Sequence, residues 1–191
     1  MTRLVAIVGS VTPPGRLRRA IDEAVERLGT RGDAEATVID LAGLTLAFAD
    51  GRPPDAFADD TAATVEAIAS ADAVVLATPV YRGSFTGSLK NLIDQTPLEA
   101  LRGKPTALVA MGATDHHFLG ADRHLRDVLA FFGAFVMPVS VYLSSADFVD
   151  GAPTPAASTA LDLLLENLTA IVPALSDAPG GPAPLAARRP S

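Results

Sequence analysis

Short unbroken apolar runs alternate along this chain with stretches in which apolar residues return every three or four positions. Residues 4 to 8 form the first run, closed by Gly9-Ser10, and read as a buried strand. From Leu17 the period changes: Leu17, Ile21, Ala24, Val25 and Leu28 share one helical face, with Arg18, Asp22, Glu23 and Glu26 mostly off it. Residues 37 to 41 make a second strand, and an irregular segment, 42 to 56, carries Asp-Gly-Arg-Pro-Pro. A helix over about 59 to 71 leads into a third strand, 73 to 77, and then a short helix turns Leu89, Leu92 and Ile93 inward. Residues 106 to 110 are a fourth strand. Leu125, Val128, Leu129 and Phe132 mark another amphipathic helix, and 135 to 141 a fifth strand. Leu161, Leu164, Leu165, Leu168, Ile171 and Val172 define the last helix, which Pro173 is expected to stop.

Strand and helix thus alternate five times, and the strands are apolar along their whole length. That pattern predicts a parallel sheet covered on both faces. Five such units suit an α/β fold: a flavodoxin-like, doubly wound, five-stranded parallel sheet of order 2-1-3-4-5 with helices on both faces. Ligands of this architecture sit beyond the carboxyl ends of the strands, at the switch point between the first and third. Loops 9 to 16, 78 to 86 and 111 to 118 are expected to converge there. One domain, 1 to 175, holds all of this. The tail, 176 to 191, is rich in Pro, Ala and Gly, has no periodic apolar face, and is expected to be disordered.

Composition narrows the function. A net charge of −7 argues against a broad nucleic-acid or anionic-membrane surface, so an anionic ligand needs a local device. The absence of cysteine excludes disulfides, thiolate nucleophiles and cysteine-ligated metals. The N-terminal apolar run is too short for a signal-peptide core, and no apolar stretch reads as a membrane span. A soluble cytoplasmic protein is expected.

The first loop, Gly9-Ser-Val-Thr-Pro-Pro-Gly-Arg16, runs into a helix whose N-terminal amides attract phosphate. Ser10 and Thr12 supply hydroxyls, and Arg16 and Arg18 are within reach of phosphate oxygens. The other reading is a plain strand-to-helix turn with solvated arginines. A Walker loop is excluded by Pro14 and Gly15, and no Gly-x-Gly-x-x-Gly follows any strand. In the second loop, Pro79 stiffens the chain before Val80, Tyr81, Arg82 and Gly83, so that backbone groups meet a ring edge and Tyr81 stacks on a ring face. The alternative is that Tyr81 covers the sheet end. Gly112, Ala113 and Thr114 form a third small-residue turn at the same edge. Neighbouring His116 and His117 lack the acidic partners of a metal site, and a surface or interface role is expected for them. Ser10 and Asp115 lack the third member and the elbow of a hydrolase triad.

Three stretches carry a resemblance: GSVTPPGR after the first strand, ATPVYRGSFTGSLKNLID after the third, and MGATDHHFLGADRHLRDVL after the fourth. Over roughly residues 3 to 172 the chain resembles the NAD(P)H-dependent FMN reductases of two-component monooxygenase systems, such as the alkanesulfonate monooxygenase reductase. The resemblance implies an FMN phosphate held by Ser10 and Arg16, with Leu17 and Arg18 beside them. It implies a flavin ring along Pro79, Val80, Tyr81 and Arg82, whose other edge faces Gly112 and Thr114. It further implies NAD(P)H as co-substrate, a flavin-dependent monooxygenase as partner, and a homodimer or homotetramer. Two departures stand out. Gly15-Arg16-Leu17-Arg18-Arg19 replaces a serine-rich run, and Arg123-His124 stands where the alkanesulfonate reductase carries an inserted tyrosine.

Hydride transfer to a flavin needs no protein acid or base, so no catalytic side chain is assigned. A flavodoxin-type electron carrier would sandwich the ring between aromatics. With two tyrosines and no tryptophan in the chain, one ring face is expected to stay open. A quinone, azo or metal-ion reductase of the same fold would use that same open face.

Overall fold

The apolar runs become the inner strands of one parallel sheet in the computed structural model, which describes residues 1–12, 14–32, 34–176 and 181–188. Four strands, β1 (Thr2–Val8), β2 (Ala34–Asp40), β3 (Ala73–Pro79) and β4 (Pro105–Met111), lie in the order β2-β1-β3-β4. Register is continuous: Ile7 stands beside Ile39 on one side and Leu76 on the other, and Leu76 beside Leu108. The fifth position is filled by two pieces, β5 (Phe135–Val136) and β6 (Val141–Leu143), both paired with β4. The order 2-1-3-4-5 is the expected one.

Period-two alternation divides the strand residues between two cores. Leu4, Ala6 and Val8, with Ala73, Val75 and Ala77, pack beneath α1 (Arg16–Thr30) and α6 (Pro155–Ser176). Val5, Ile7, Val74, Leu76 and Leu108 pack beneath α2 (Thr61–Ser70), α3 (Gly87–Gln95), α4 (Leu98–Leu101) and α5 (Gly120–Phe132). Alanine is common on the first face, which lets its two helices lie close to the sheet. Each fully buried Leu or Ile, such as Ile7, Leu76 and Leu161, contributes about 1.5–3 kcal/mol.

Two boundaries differ from the sequence expectation. The fifth strand is not continuous: after Met137 donates to the Thr106 carbonyl at 2.9 Å, the chain leaves the sheet at Pro138, which has no N–H to give. It rejoins at Val141 and runs on to Leu143. The last helix is not stopped by Pro173 but continues to Ser176. Only one turn follows the proline, so the loss is confined to the helix end.

By length and hydropathy alone, the Pro155–Leu175 stretch of α6 would suit a membrane span, contrary to the sequence reading. Leu161, Leu165 and Leu168 nevertheless lie buried against the sheet. Before α6 comes a hairpin, β7 (Phe148–Val149) and β8 (Ala152–Pro153), which turns through Asp150 and Gly151 at positive φ. Of the tail expected to be disordered, 177–180 and 189–191 lie outside the described residues. The described part contains a one-turn helix, α7 (Leu185–Arg188), and Pro184 packs beside Gly133.

Candidate functional site

The three loops meet at the carboxyl ends of β1, β3 and β4, and Thr86 ties the first two together. Its hydroxyl donates to the Gly9 carbonyl at 2.6 Å and accepts from Leu89 N–H at 3.2 Å, capping α3. Its own N–H donates to Thr78 Oγ1 at 3.2 Å. The second and third loops are joined by Val80 N–H donating to the Met111 carbonyl at 2.8 Å.

In the first loop, α1 starts after an extended Gly15 with, among the described residues, no side-chain cap and no acid in its first turn. Such an end favours an anion. Ser10 is buried at the base of the loop and Thr12 is exposed. Leu17 is a core residue, so only its backbone belongs to the loop. Arg16 reaches outward, its Nη2 donating to Ser145 Oγ at 3.2 Å and its guanidinium lying 5.2 Å from the Phe148 ring centroid. Arg18 is held between two carboxylates, Asp22 at 2.7 Å and Asp40 at 3.6 Å. The structure therefore separates the two arginines: Arg18 is already paired, whereas among the described residues Arg16 is tethered only by a hydroxyl and a ring.

The second loop closes as a tight turn. Tyr81 and Ser84 exchange both backbone hydrogen bonds, at 2.8 and 3.0 Å. Arg82 (φ 53°) and Gly83 (φ 79°) supply the two left-handed residues such a turn needs. The turn leans on α5: a Cβ at Gly120 would strike the Gly83 carbonyl, and His124 Nδ1 lies 2.9 Å from Ser84 Oγ. Tyr81 leaves this rigid turn with its side chain partly exposed.

Tyr142 shapes the third loop. Its hydroxyl donates to the Thr114 carbonyl at 2.7 Å, and a Cβ at Gly112 would collide with that hydroxyl. Burial, together with the nearby Asp115 carboxylate, raises the Tyr142 pKa, so the phenol keeps its proton for that bond. Gly112 N–H donates to the Leu143 carbonyl at 2.9 Å. Ala113 and Thr114 are exposed, and Thr114 Oγ1 lies 3.1 Å from His116 Nδ1.

The loops are legible in the sequence, but the residues that fix them are not. Tyr142 lies one position beyond the expected end of the fifth strand, and continuing that strand as far as its neighbours would have brought it to the same edge. Thr86 was visible as a helix N-cap. Nothing in the sequence placed Ser145 and Phe148 beside Arg16, because an irregular connection brings them there.

A sequence model described as NADPH-dependent FMN reductase matches residues 2–148. The chain is 34% identical over 146 residues to the FMN reductase (NADPH) of Pseudomonas aeruginosa, spanning 76% of this chain and 78% of that protein. It is 38% identical over 116 residues to an NAD(P)H-dependent FAD/FMN reductase of Geobacillus thermodenitrificans, a match covering 61% of this chain and 63% of the relative. Among solved structures, the apo form of the NADH:FMN oxidoreductase EMOB superposes with a TM-score of 0.73 at 25% identity, covering 89% of each chain.

Proposed function

The chain belongs to the NADPH-dependent FMN reductase family, and from this premise we propose that it reduces exchangeable FMN for use by a separate flavin-dependent monooxygenase. It is an oxidoreductase that uses FMN and NAD(P)H. The loops fit FMN. The uncapped, acid-free start of α1 suits a phosphate, with Ser10, Thr12 and Arg16 around it and Arg18 behind, neutralised by Asp22 and Asp40. The stiff 79–83 turn offers Tyr81 to a ring.

When bound, FMN supplies the hydride-accepting ring. The protein's part is to hold and orient it: the Tyr81–Ser84 turn sets the angle of the aromatic, and Tyr142 fixes the third loop at the opposite edge. The observation that carries the exchangeable-flavin reading is the make-up of that third loop. Gly112, Ala113 and Thr114 carry no ring, and the Tyr142 hydroxyl is bonded to Thr114. A ligand on Tyr81 keeps one face open to nicotinamide and is held less tightly than in an aromatic sandwich.

Hand-over to an oxygenase is supported by the likeness of the three loop stretches to reductases of two-component systems. A cytoplasmic location is supported by the need for NAD(P)H. A homo-oligomer is supported by α6, where Ala160, Leu163, Asn167, Ala170 and Ala174 follow a three-four spacing beside an apolar groove along the β5–β6 edge. Desalting the FMN-loaded protein tests exchangeability. Micromolar binding, with flavin lost on the column, is expected. Retention of one FMN per chain through the column would favour the carrier instead, since nanomolar binding requires about 4 kcal/mol more.

A further inference from the structure

A cavity of about 510 Å³ opens beside Tyr81 on the side away from the third loop, between the segment after β2 and the first turn of α3. Its outer wall is an extended segment held by side chains where a sheet would use a strand. Thr45 N–H donates to Asp60 Oδ2 at 2.8 Å, Ala47 N–H to Asp59 Oδ2 at 2.7 Å, and Ala49 N–H to Asn91 Oδ1 at 2.9 Å. The Ala47 carbonyl accepts from Asn91 at 2.9 Å and from Gln95 at 3.0 Å.

With alternate backbone groups fixed in this way, the extended chain turns Leu44, Leu46 and Phe48 to one side. All three line the cavity. Phe48 is 84% exposed, an unusual place for a phenylalanine that closes nothing. Among the described residues, no charged side chain lines the cavity. Asp59 and Asp60 stand directly behind the wall, so an anionic group entering there would meet two carboxylates. Across the cavity, Ser88 Oγ is buried without a hydrogen-bond partner among the described residues.

We propose that this cavity binds an uncharged, planar aromatic ligand between the Leu44–Leu46–Phe48 wall and Tyr81. The apolar wall supplies burial, Phe48 and Tyr81 supply ring contacts, and the acidic backing discriminates against phosphate-bearing ligands.

The test titrates 1-naphthol, followed by its fluorescence, into wild type, Leu46→Asp and Phe48→Ala, each with and without FMN. Wild type should bind in both states. Leu46→Asp should weaken 1-naphthol about tenfold or more by placing a charge in the wall. Phe48→Ala should weaken it roughly threefold or more, and since Phe48 is so exposed the fold should not suffer. FMN affinity should be unchanged in both variants. A parallel loss of FMN affinity would assign the wall to the flavin itself, and equal 1-naphthol binding by all three proteins would leave the cavity without this ligand; either overturns the proposal. If FMN fails to bind wild type, the reductase function fails, while the FMN-free titrations still decide the cavity.

Discussion

In the proposed site Tyr81 meets the FMN ring and Arg16 its phosphate, and single substitutions test the two roles separately. Tyr81 is anchored by its backbone, not its ring, so Tyr81→Ala should leave the turn and the melting temperature unchanged. Loss of one aromatic partner, about 0.5–1.5 kcal/mol, predicts FMN binding weaker by roughly threefold to tenfold in a fluorescence titration. Unchanged affinity with earlier melting would show instead that Tyr81 covers the sheet end. Arg16→Ala should weaken FMN about tenfold, the scale of a charge-assisted hydrogen bond, yet leave riboflavin, which has no phosphate, where it was. Equal losses for both flavins would place Arg16 off the phosphate. Residue types exposed these two positions in the sequence, since one aromatic and one arginine stood at the open ends of predicted strands. Pairing was exposed only in part. Asp22 stands one turn on from Arg18 in the predicted helix, but Arg18's second carboxylate, Asp40, comes beside it only once β2 is placed.

Elements were legible wherever one period ran unbroken, as in β1 and α1, and illegible where a single residue interrupts it. Pro138 splits the fifth strand because it has no ladder donor, whereas Pro173 fails to end α6 because it sits one turn from the end. The end of α2 depends on a residue from another element. Lys104 Nζ donates to the Ile68 and Ala69 carbonyls at 2.6 and 2.9 Å, capping the helix C-terminus. Burial pushes the Lys104 pKa down from 10.5 to about 8, with Asp72 pulling it back up and Arg3 adding to the fall. Between those two values the unfolded chain binds more protons than the folded one. This lysine's contribution to stability therefore grows as pH rises through that window and is lost as pH falls through 8. Urea unfolding at about pH 7.5 and 9.5 should show wild type gaining stability relative to Lys104→Met at the higher pH. Parallel behaviour of the two proteins would mean that the ammonium is as well solvated folded as unfolded.

At the scale of the whole molecule, the alternation of apolar runs and amphipathic stretches was enough to predict the sheet order, because right-handed crossovers leave few ways to cover both faces. What surrounds the sheet was less accessible. The α6 stripe becomes visible only once Leu161, Leu165 and Leu168 are known to face inward. Light scattering should report a dimer or tetramer at micromolar concentration, and Leu163→Glu should lower that mass by placing like charges on facing helices. A mass unchanged by the substitution would move the interface elsewhere. The central claim, that this chain passes hydride from a reduced nicotinamide to FMN that comes and goes, is tested most directly by anaerobic stopped-flow mixing with NADPH or NADH and FMN in large excess over protein. The account predicts continued bleaching of the flavin absorbance through many equivalents, at a rate that saturates with free FMN. Bleaching that halts at one flavin per chain, or none with either nicotinamide, would contradict it.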